Sequence, residues 1–370
     1  MSRVLVTGAE GFLGRNLSVA LRRVPGVEVL PFDRNETRAD LERLAGEADA
    51  VFHLAGVNRP ERVEEFEEGN AALTRALVDA LLARGRRVPL VLSSSTQAAL
   101  DNPYGRSKLA AEAEVRRYGA ATGAPALVSR LPGLFGTWSR PNYNSVVATF
   151  CHNRARGLPI SVRDPGAEVE LAYADDVVAE FLLALDPARP PPAAPAVRPA
   201  FRVTLGELAA RIEAIRDVRE TLTLPDLSDG LTRRLYATFL SYLPEDAFAY
   251  QPLVRRDARG SLVELLKSPP FGQIFVSRSN PGVVRGHHFH DTKVEKFCVV
   301  QGRAAICFRH VLGGEVLRYE VRGEEMRVVD VPPGYTHSIE NLGDGEMVTL
   351  FWASEVFDPA RPDTHPEKVR

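Results

Sequence analysis

The sequence predicts an α/β protein in two parts, a doubly wound parallel sheet followed by an all-β barrel or sandwich. Three observations carry this. The 370 residues exceed what one hydrophobic core usually fills. Up to about residue 180, short β-rich runs alternate with helical patterns, the signature of a sheet with helices on both faces. After about residue 247 the texture becomes successive β-runs separated by Gly, Asp and Pro turns.

In order, RVLVTG is the first strand, and Phe12 to about Arg23 carries apolar residues at helical spacing. VEVLPF, a helix around Asp40, AVFHLAG, a helix from Asn70 to Arg84 and PLVLSSS continue the alternation. The Pro-rich stretch Asp186–Ala200 should be extended, yet FRVTLGELAARIEAIRD beyond it resumes a strand-then-helix pattern, so it reads as an insert and not a boundary. The boundary is placed near residues 244–256, giving domains 1–245 and 246–370. GQIFVSRS, KFCVVQG, AAICFRHV, EVLRYEV, MRVVDVPPG and MVTLFWA then supply the antiparallel strands.

With 46 Lys+Arg against 48 Asp+Glu the net charge is -2, which argues against nucleic acid or an anionic membrane surface as partner. No run approaches the roughly 20 apolar residues of a membrane span, and the N-terminus lacks a secretory pattern, so a cytoplasmic location is expected. Cys151, Cys298 and Cys307 are read as free thiols in a reducing compartment.

Gly8, Gly11 and Gly14 follow the first strand and open the first helix, where a backbone can approach a pyrophosphate and the helix N-terminus favours an anion. At the end of the second strand Asp33 would suit a free ribose 2'-hydroxyl and Arg34 a 2'-phosphate. Tyr104 and Lys108 are four apart on one helix face, so a phenol could hand a proton to a carbonyl oxygen beside an ammonium that lowers its pKa. Ser94, Ser95 and Thr96 stand just upstream. With HLAG at 53–56, Asn70, RLPGLFG at 130–136 and YADDVV at 173–178, this half resembles the extended short-chain dehydrogenase/reductase family, over residues 1 to about 243. The resemblance implies a Rossmann-like fold, a catalytic trio of Ser95, Tyr104 and Lys108 with Ser94 as fallback, and cofactor contacts at the three glycines, Arg34, His53, Tyr104 and Lys108. It also implies a substrate pocket around Asn142, Tyr143 and Asn144, with Arg140 as an available cation. Gly133 departs from that family, which commonly has asparagine there.

Five of the eight histidines lie between residues 287 and 337. Gly282, His288, His290, Glu295 and Gly302 are spaced G-x5-H-x-H-x4-E-x6-G, and Pro332, Gly334, His337 and Asn341 follow as P-x-G-x2-H-x3-N. This resembles the two-part signature of the cupin superfamily, with Met326 in place of a usual glycine. Residues two apart on a strand share a side, so His288 and His290 can converge, with Glu295 and His337 arriving from neighbouring strands. Such a set suits zinc, and also manganese, iron or nickel. His287 should point the other way.

HLAGVNRPE, LSSSTQAALDNPYGRSKL, PNYNSVVATFC, YLPEDAFAY, YTHSIENLGD and FDPARPDT together resemble the bifunctional capsular polysaccharide-synthesis enzymes of the CapF type, nearly end to end. That resemblance implies a UDP-linked 4-keto-6-deoxy-N-acetylhexosamine substrate, epimerised at C3 in the cupin and reduced at C4 with NADPH, and a homodimer. Lys293 and His310 are the candidate C3 bases. Two other readings compete: a reductase whose cupin only dimerises or binds a ligand, and a cupin that is an iron oxygenase.

Overall fold

The computed structural model describes residues 2–185, 199–257, 260–263, 272–355 and 358–370. They form two compact units, Met1–Ser145 with Glu168–Val203, and Val146–Ala167 with Thr204–Arg370. Most of the Pro-rich insert, 186–198, lies outside the described residues.

In the first unit, β1 (Ser2–Thr7), β2 (Val27–Phe32), β3 (Ala50–His53), β4 (Leu90–Ser95) and β5 (Ala126–Leu131) form one parallel sheet in the order β2-β1-β3-β4-β5. Successive side chains of each strand enter opposite cores. Leu5, Val51, Leu90 and Leu92 pack with α2 (Arg38–Glu47), α3 (Leu73–Ala83) and α4 (Pro103–Thr122), while Val4, Val6, Phe52 and Val91 pack with α1 (Phe12–Leu21) and α6 (Ala174–Leu183). The doubly wound expectation holds. The helix expected from Asn70 begins instead as one π-helical turn over Glu67–Ala72 that runs into α3. A small sheet of β6 (Gly133–Phe135), β7 (Glu168–Tyr173) and β8 (Ala200–Thr204) completes the unit.

The second unit contains α5 (Val146–Ala155), α7 (Leu205–Thr221), α8 (Gly230–Leu240) and the β-rich part. Thr204 and Glu207 cap α7 reciprocally, each side chain taking the other's backbone N–H, which fixes where the β8 strand turns into helix. Its remaining strands are β9 (Ala249–Tyr250), a hairpin of β10 (Val254–Asp257) and β11 (Gly260–Val263), β12 (Gln273–Ser279), β13 (Val284–Phe289), β14 (Glu295–Gln301), β15 (Arg303–His310), β16 (Leu317–Arg322), β17 (Val328–Val331), β18 (Tyr335–Asn341), β19 (Met347–Ala353) and β20 (His365–Pro366). They make two antiparallel sheets, ordered β12-β19-β14-β17-β9 and β16-β15-β18-β13-β20, as the cupin resemblance implies.

Two features of this unit fix the site. Strand β13 carries a bulge: Gly286 pairs with Ser338 and His288 with His337, leaving His287 as the extra residue at φ 56°. Gly286 has φ 99°, and a Cβ there would lie 2.8 Å from the His337 carbonyl oxygen, so both conformation and space require glycine. Second, Asp330 on β17, wholly buried, binds Lys296 of β14 at 2.6 Å and Arg219 of α7 at 2.7 Å. Lys296 also donates to the Tyr250 hydroxyl, and the Arg219 guanidinium lies 4.5 Å from the Tyr250 ring centre and donates to the Ala247 carbonyl. Helix α7 is thereby tied by buried charge to the β14-β17-β9 side of the first of these sheets.

Among the described residues no helix is long and apolar enough to cross a membrane.

Candidate active site and metal centre

The β1–α1 turn is built for close approach. Gly8 has φ 69°, and a Cβ on Gly14 would sit 1.9 Å from the Gly8 carbonyl oxygen, so the helix packs directly on the turn. Gly11 caps α1 without a side chain and no acidic residue occupies its first turn, leaving the N-terminus suited to an anion. Asp33 is engaged here: its carboxylate accepts the Glu10 amide at 3.0–3.1 Å, while Arg34 beside it is exposed. The glycine turn and the cation beside it fit a dinucleotide.

His53 is enclosed, and its bonds form one chain. The Thr74 hydroxyl donates to the Asn70 carbonyl and so accepts from His53 Nε2 at 2.9 Å, while Thr7 Oγ1, which accepts the Ala55 amide, lies 2.6 Å from Nδ1. Burial, and then the Lys108 charge, lower its pKa to about 3, so it is neutral. This gives His53 a positioning place between β1 and α3.

Asn102 caps α4 by accepting the Gly105 amide, and Pro103 opens the helix, which places Tyr104 in the first turn and Lys108 one turn on. Lys108 Nζ donates to the Ser93 carbonyl at 3.0 Å, and burial, partly offset by Glu112, lowers its pKa to about 8. The phenol behaves differently from the sequence expectation. Burial raises the Tyr104 pKa, opposed by a hydrogen bond with Ser95, and the half-buried ring packs 5.5 Å from Phe66. Burial outweighs the Ser95 hydrogen bond, and the phenol keeps its proton. The structure also separates the two serines, because Ser94 donates to Glu112 at 2.6 Å and Glu112 is held bidentately by Arg130. In the loop beyond β6, Asn142 and Asn144 are exposed, and the Arg140 guanidinium lies 5.2 Å from the ring centre of half-buried Tyr143.

In the second unit His288, His290, Glu295 and His337 each offer one ligand atom, all within 4.8 Å of one another. The histidines come from β13, the turn after it, and β18 in one sheet; Glu295 comes from β14 in the other. His290 Nδ1 lies 2.5 Å from the Asp363 carbonyl and His337 Nδ1 3.4 Å from that of Tyr335, which puts their protons on Nδ1 and leaves Nε2 as a lone pair. Both Nε2 atoms are buried without a hydrogen-bond partner, with the Glu295 carboxylate 3.3 and 3.4 Å away. Burial, with His337 and His290 adding to it, lowers His288 to about 4. Orphaned lone pairs around one ionised carboxylate are what a divalent cation requires, so these residues fit a metal ion.

His287, on the bulge, accepts the Val369 amide instead. Lys293 is buried, and its ammonium donates to the Pro362 carbonyl and the Thr364 hydroxyl, both at 2.9 Å. His310 Nδ1 accepts the Leu312 amide, and its ring meets Tyr335 edge-on at 5.0 Å. One residue the sequence reading passed over is Asp363, whose contacts surround the ligand turn; no local spacing marks it, since its partners lie about seventy positions earlier.

Residues 4–194 match the NAD dependent epimerase/dehydratase family and residues 255–365 the polysaccharide biosynthesis C-terminal domain. A UDP-2-acetamido-2,6-beta-L-arabino-hexul-4-ose reductase of Pseudomonas aeruginosa is 46% identical over 363 residues, covering 98% of each chain. The capsular polysaccharide assembling protein CapF of Staphylococcus aureus superposes with a TM-score of 0.68 at 44% identity, covering 99% of this chain and 100% of its own. The Bordetella bronchiseptica enzyme WbmF, solved with NAD+, has a TM-score of 0.50 at 22% identity, covering 58% of this chain and 78% of its own, and supports the fold alone.

Proposed function

The chain belongs to the NAD dependent epimerase/dehydratase family, in its CapF-type branch, and from that premise we propose that it is a bifunctional nucleotide-sugar enzyme. In this reading residues 1–245 reduce the C4 ketone of a UDP-linked 4-keto-6-deoxy-N-acetylhexosamine with NADPH. Residues 246–370 epimerise C3, and the product is UDP-N-acetyl-6-deoxy-L-talosamine for capsule or O-antigen synthesis by a cytoplasmic homodimer. The observation that carries the reading is the 46% identity, sustained along both chains, to a reductase of a UDP-linked hexul-4-ose.

The nicotinamide supplies the hydride. Tyr104, kept protonated by burial, gives its phenolic proton to the C4 alkoxide, and the Ser95 hydroxyl holds the same oxygen. Exposed Arg34 supports NADPH, since Asp33 is occupied by the glycine turn. Lys108 supplies positive charge to the bound ribose, and this has a pH consequence. Its folded pKa of about 8 means the charge is present below that value and lost above it. The Kd for NADPH should therefore stay flat up to about pH 8 and then rise, by up to about tenfold per pH unit. A Kd that is flat to pH 10 would remove Lys108 from cofactor binding.

A C3 proton beside a C4 ketone is acidic because the enolate spreads its charge onto oxygen, and a divalent ion, zinc first, would stabilise that charge when held by His288, His290, Glu295 and His337. Lys293 and His310 are the proposed proton carriers. Because His310 Nδ1 accepts the Leu312 amide, Nε2 is the ring atom through which it would exchange a proton with C3. Asn142, Tyr143 and Asn144 are proposed to contact the sugar or uracil.

The relative's name specifies reduction only, which favours a second reading in which the barrel merely dimerises or binds a ligand. Proton NMR in deuterium oxide separates the two. With the UDP-4-keto sugar and no NADPH, wild type is expected to exchange C3-H for deuterium and His290→Ala to lose that exchange. Reduction without exchange in any sample would leave the second reading.

A further inference from the structure

The turn between the ligands His290 and Glu295 is held from outside the motif. Asp363 Oδ1 accepts the Asp291 amide at 2.9 Å, and Oδ2 accepts those of Thr292 at 3.1 Å and Lys293 at 2.7 Å, together with the Thr292 hydroxyl. The carbonyl of the same residue accepts a hydrogen bond from His290 Nδ1 at 2.5 Å. Its neighbours secure it: Pro362 and Thr364 receive the buried Lys293 ammonium, and His365 pairs with Phe289 as strand β20 against β13. Aiming a carboxylate and a carbonyl at one turn places Asp363 at φ 35°, a left-handed conformation that aspartate tolerates better than most residues.

We infer that Asp363 is the positioning residue of the metal centre: its carboxylate sets the 291–293 turn that spaces His290 from Glu295, and its carbonyl fixes the tautomer that presents His290 Nε2. The inference rests on the metal reading above, and goes beyond it by making ion affinity at His288, His290, Glu295 and His337 depend on a residue outside that set. Partners of this kind orient the imidazole and raise its basicity, and their removal lowers metal affinity about 10–100-fold.

The test uses the full chain as wild type, Asp363→Gly and Asp363→Asn. Glycine accepts the positive φ and removes the carboxylate; asparagine keeps one acceptor oxygen. Zn2+ affinity is measured against a competing chelator, the ligand field by the absorption of bound Co2+, and the turn by hydrogen exchange of the 291–293 amides. Asp363→Gly is expected to bind Zn2+ at least tenfold more weakly, with an altered Co2+ spectrum and fast exchange at 291–293. The amides of β14 should stay as protected as in wild type, and Asp363→Asn should fall between. Wild-type affinity and spectrum in Asp363→Gly overturn the inference alone. Fast exchange at 291–293 in the wild type also overturns it, by a readout that needs no metal. A wild type that takes up no Zn2+ sinks the metal reading and this inference with it.

Discussion

Replacing Tyr104 with phenylalanine is expected to slow ketone reduction about 10²- to 10⁴-fold while leaving the thermal midpoint near that of the wild type. The ring is retained, so its packing on Phe66 survives, and the one interaction removed is that with the Ser95 hydroxyl. A proton donor must still hold its proton at working pH, and burial secures that for this phenol. Single-turnover oxidation of NADPH by the UDP-4-keto sugar measures the effect. A loss smaller than tenfold would assign the proton to another group. Ser94→Ala serves as a contrast, since its hydroxyl is spent on Glu112 and its loss should leave the chemistry nearly unchanged.

The second large effect concerns stability. Asp330→Asn is expected to destabilise the second unit by about 3–5 kcal/mol, because it leaves a buried ammonium and a half-buried guanidinium without their shared counter-charge. Lys296 is only 7% exposed; burial works against its charge, and Asp330 is what raises its pKa well above the ordinary value. Trp352 on β19 is buried in the same unit, so its fluorescence in a Trp138→Phe background follows unfolding there. The double variant Lys296→Met, Asp330→Leu should recover the part of the loss that comes from the buried ammonium, leaving only the half-buried Arg219 guanidinium without its counter-charge. A single-variant loss below about 1 kcal/mol would mean that water reaches the pair.

Features written in short, fixed spacings were legible in the sequence. The glycine turn, the Tyr104–Lys108 spacing and the His288–His290–Glu295 run each depend on neighbours in the chain: the glycines open α1, Tyr104 and Lys108 lie one turn apart in α4, and the three ligand candidates come together. His337 joins them because its strand position is set by its own half-motif. Partnerships across the fold were not legible. Nothing near Ser94 says that Glu112 will occupy it, nothing near Lys293 says that its ammonium will turn to Pro362 and Thr364, and nothing near Arg219 announces Asp330. The direction of the Tyr104 shift was hidden for a related reason: spacing reveals the ammonium four residues on but not the burial that raises the phenol pKa.

The bulge at Gly286 and His287 lets this strand absorb one residue of chain length without losing the register of its ligands. A strand repeats every two residues, so inserting one residue reverses the faces beyond it and deleting one does the same. Here the extra residue is already counted in: with His287 present, His288 stands opposite His337. Exchange of His287 for asparagine or glycine, both at ease at positive φ, alters only its link to Val369. Loss of His287 is absorbed in the same way, because it closes the bulge while Gly286 stays opposite Ser338 and His288 opposite His337. Related chains should therefore tolerate one residue fewer at the bulge while keeping His288 opposite His337.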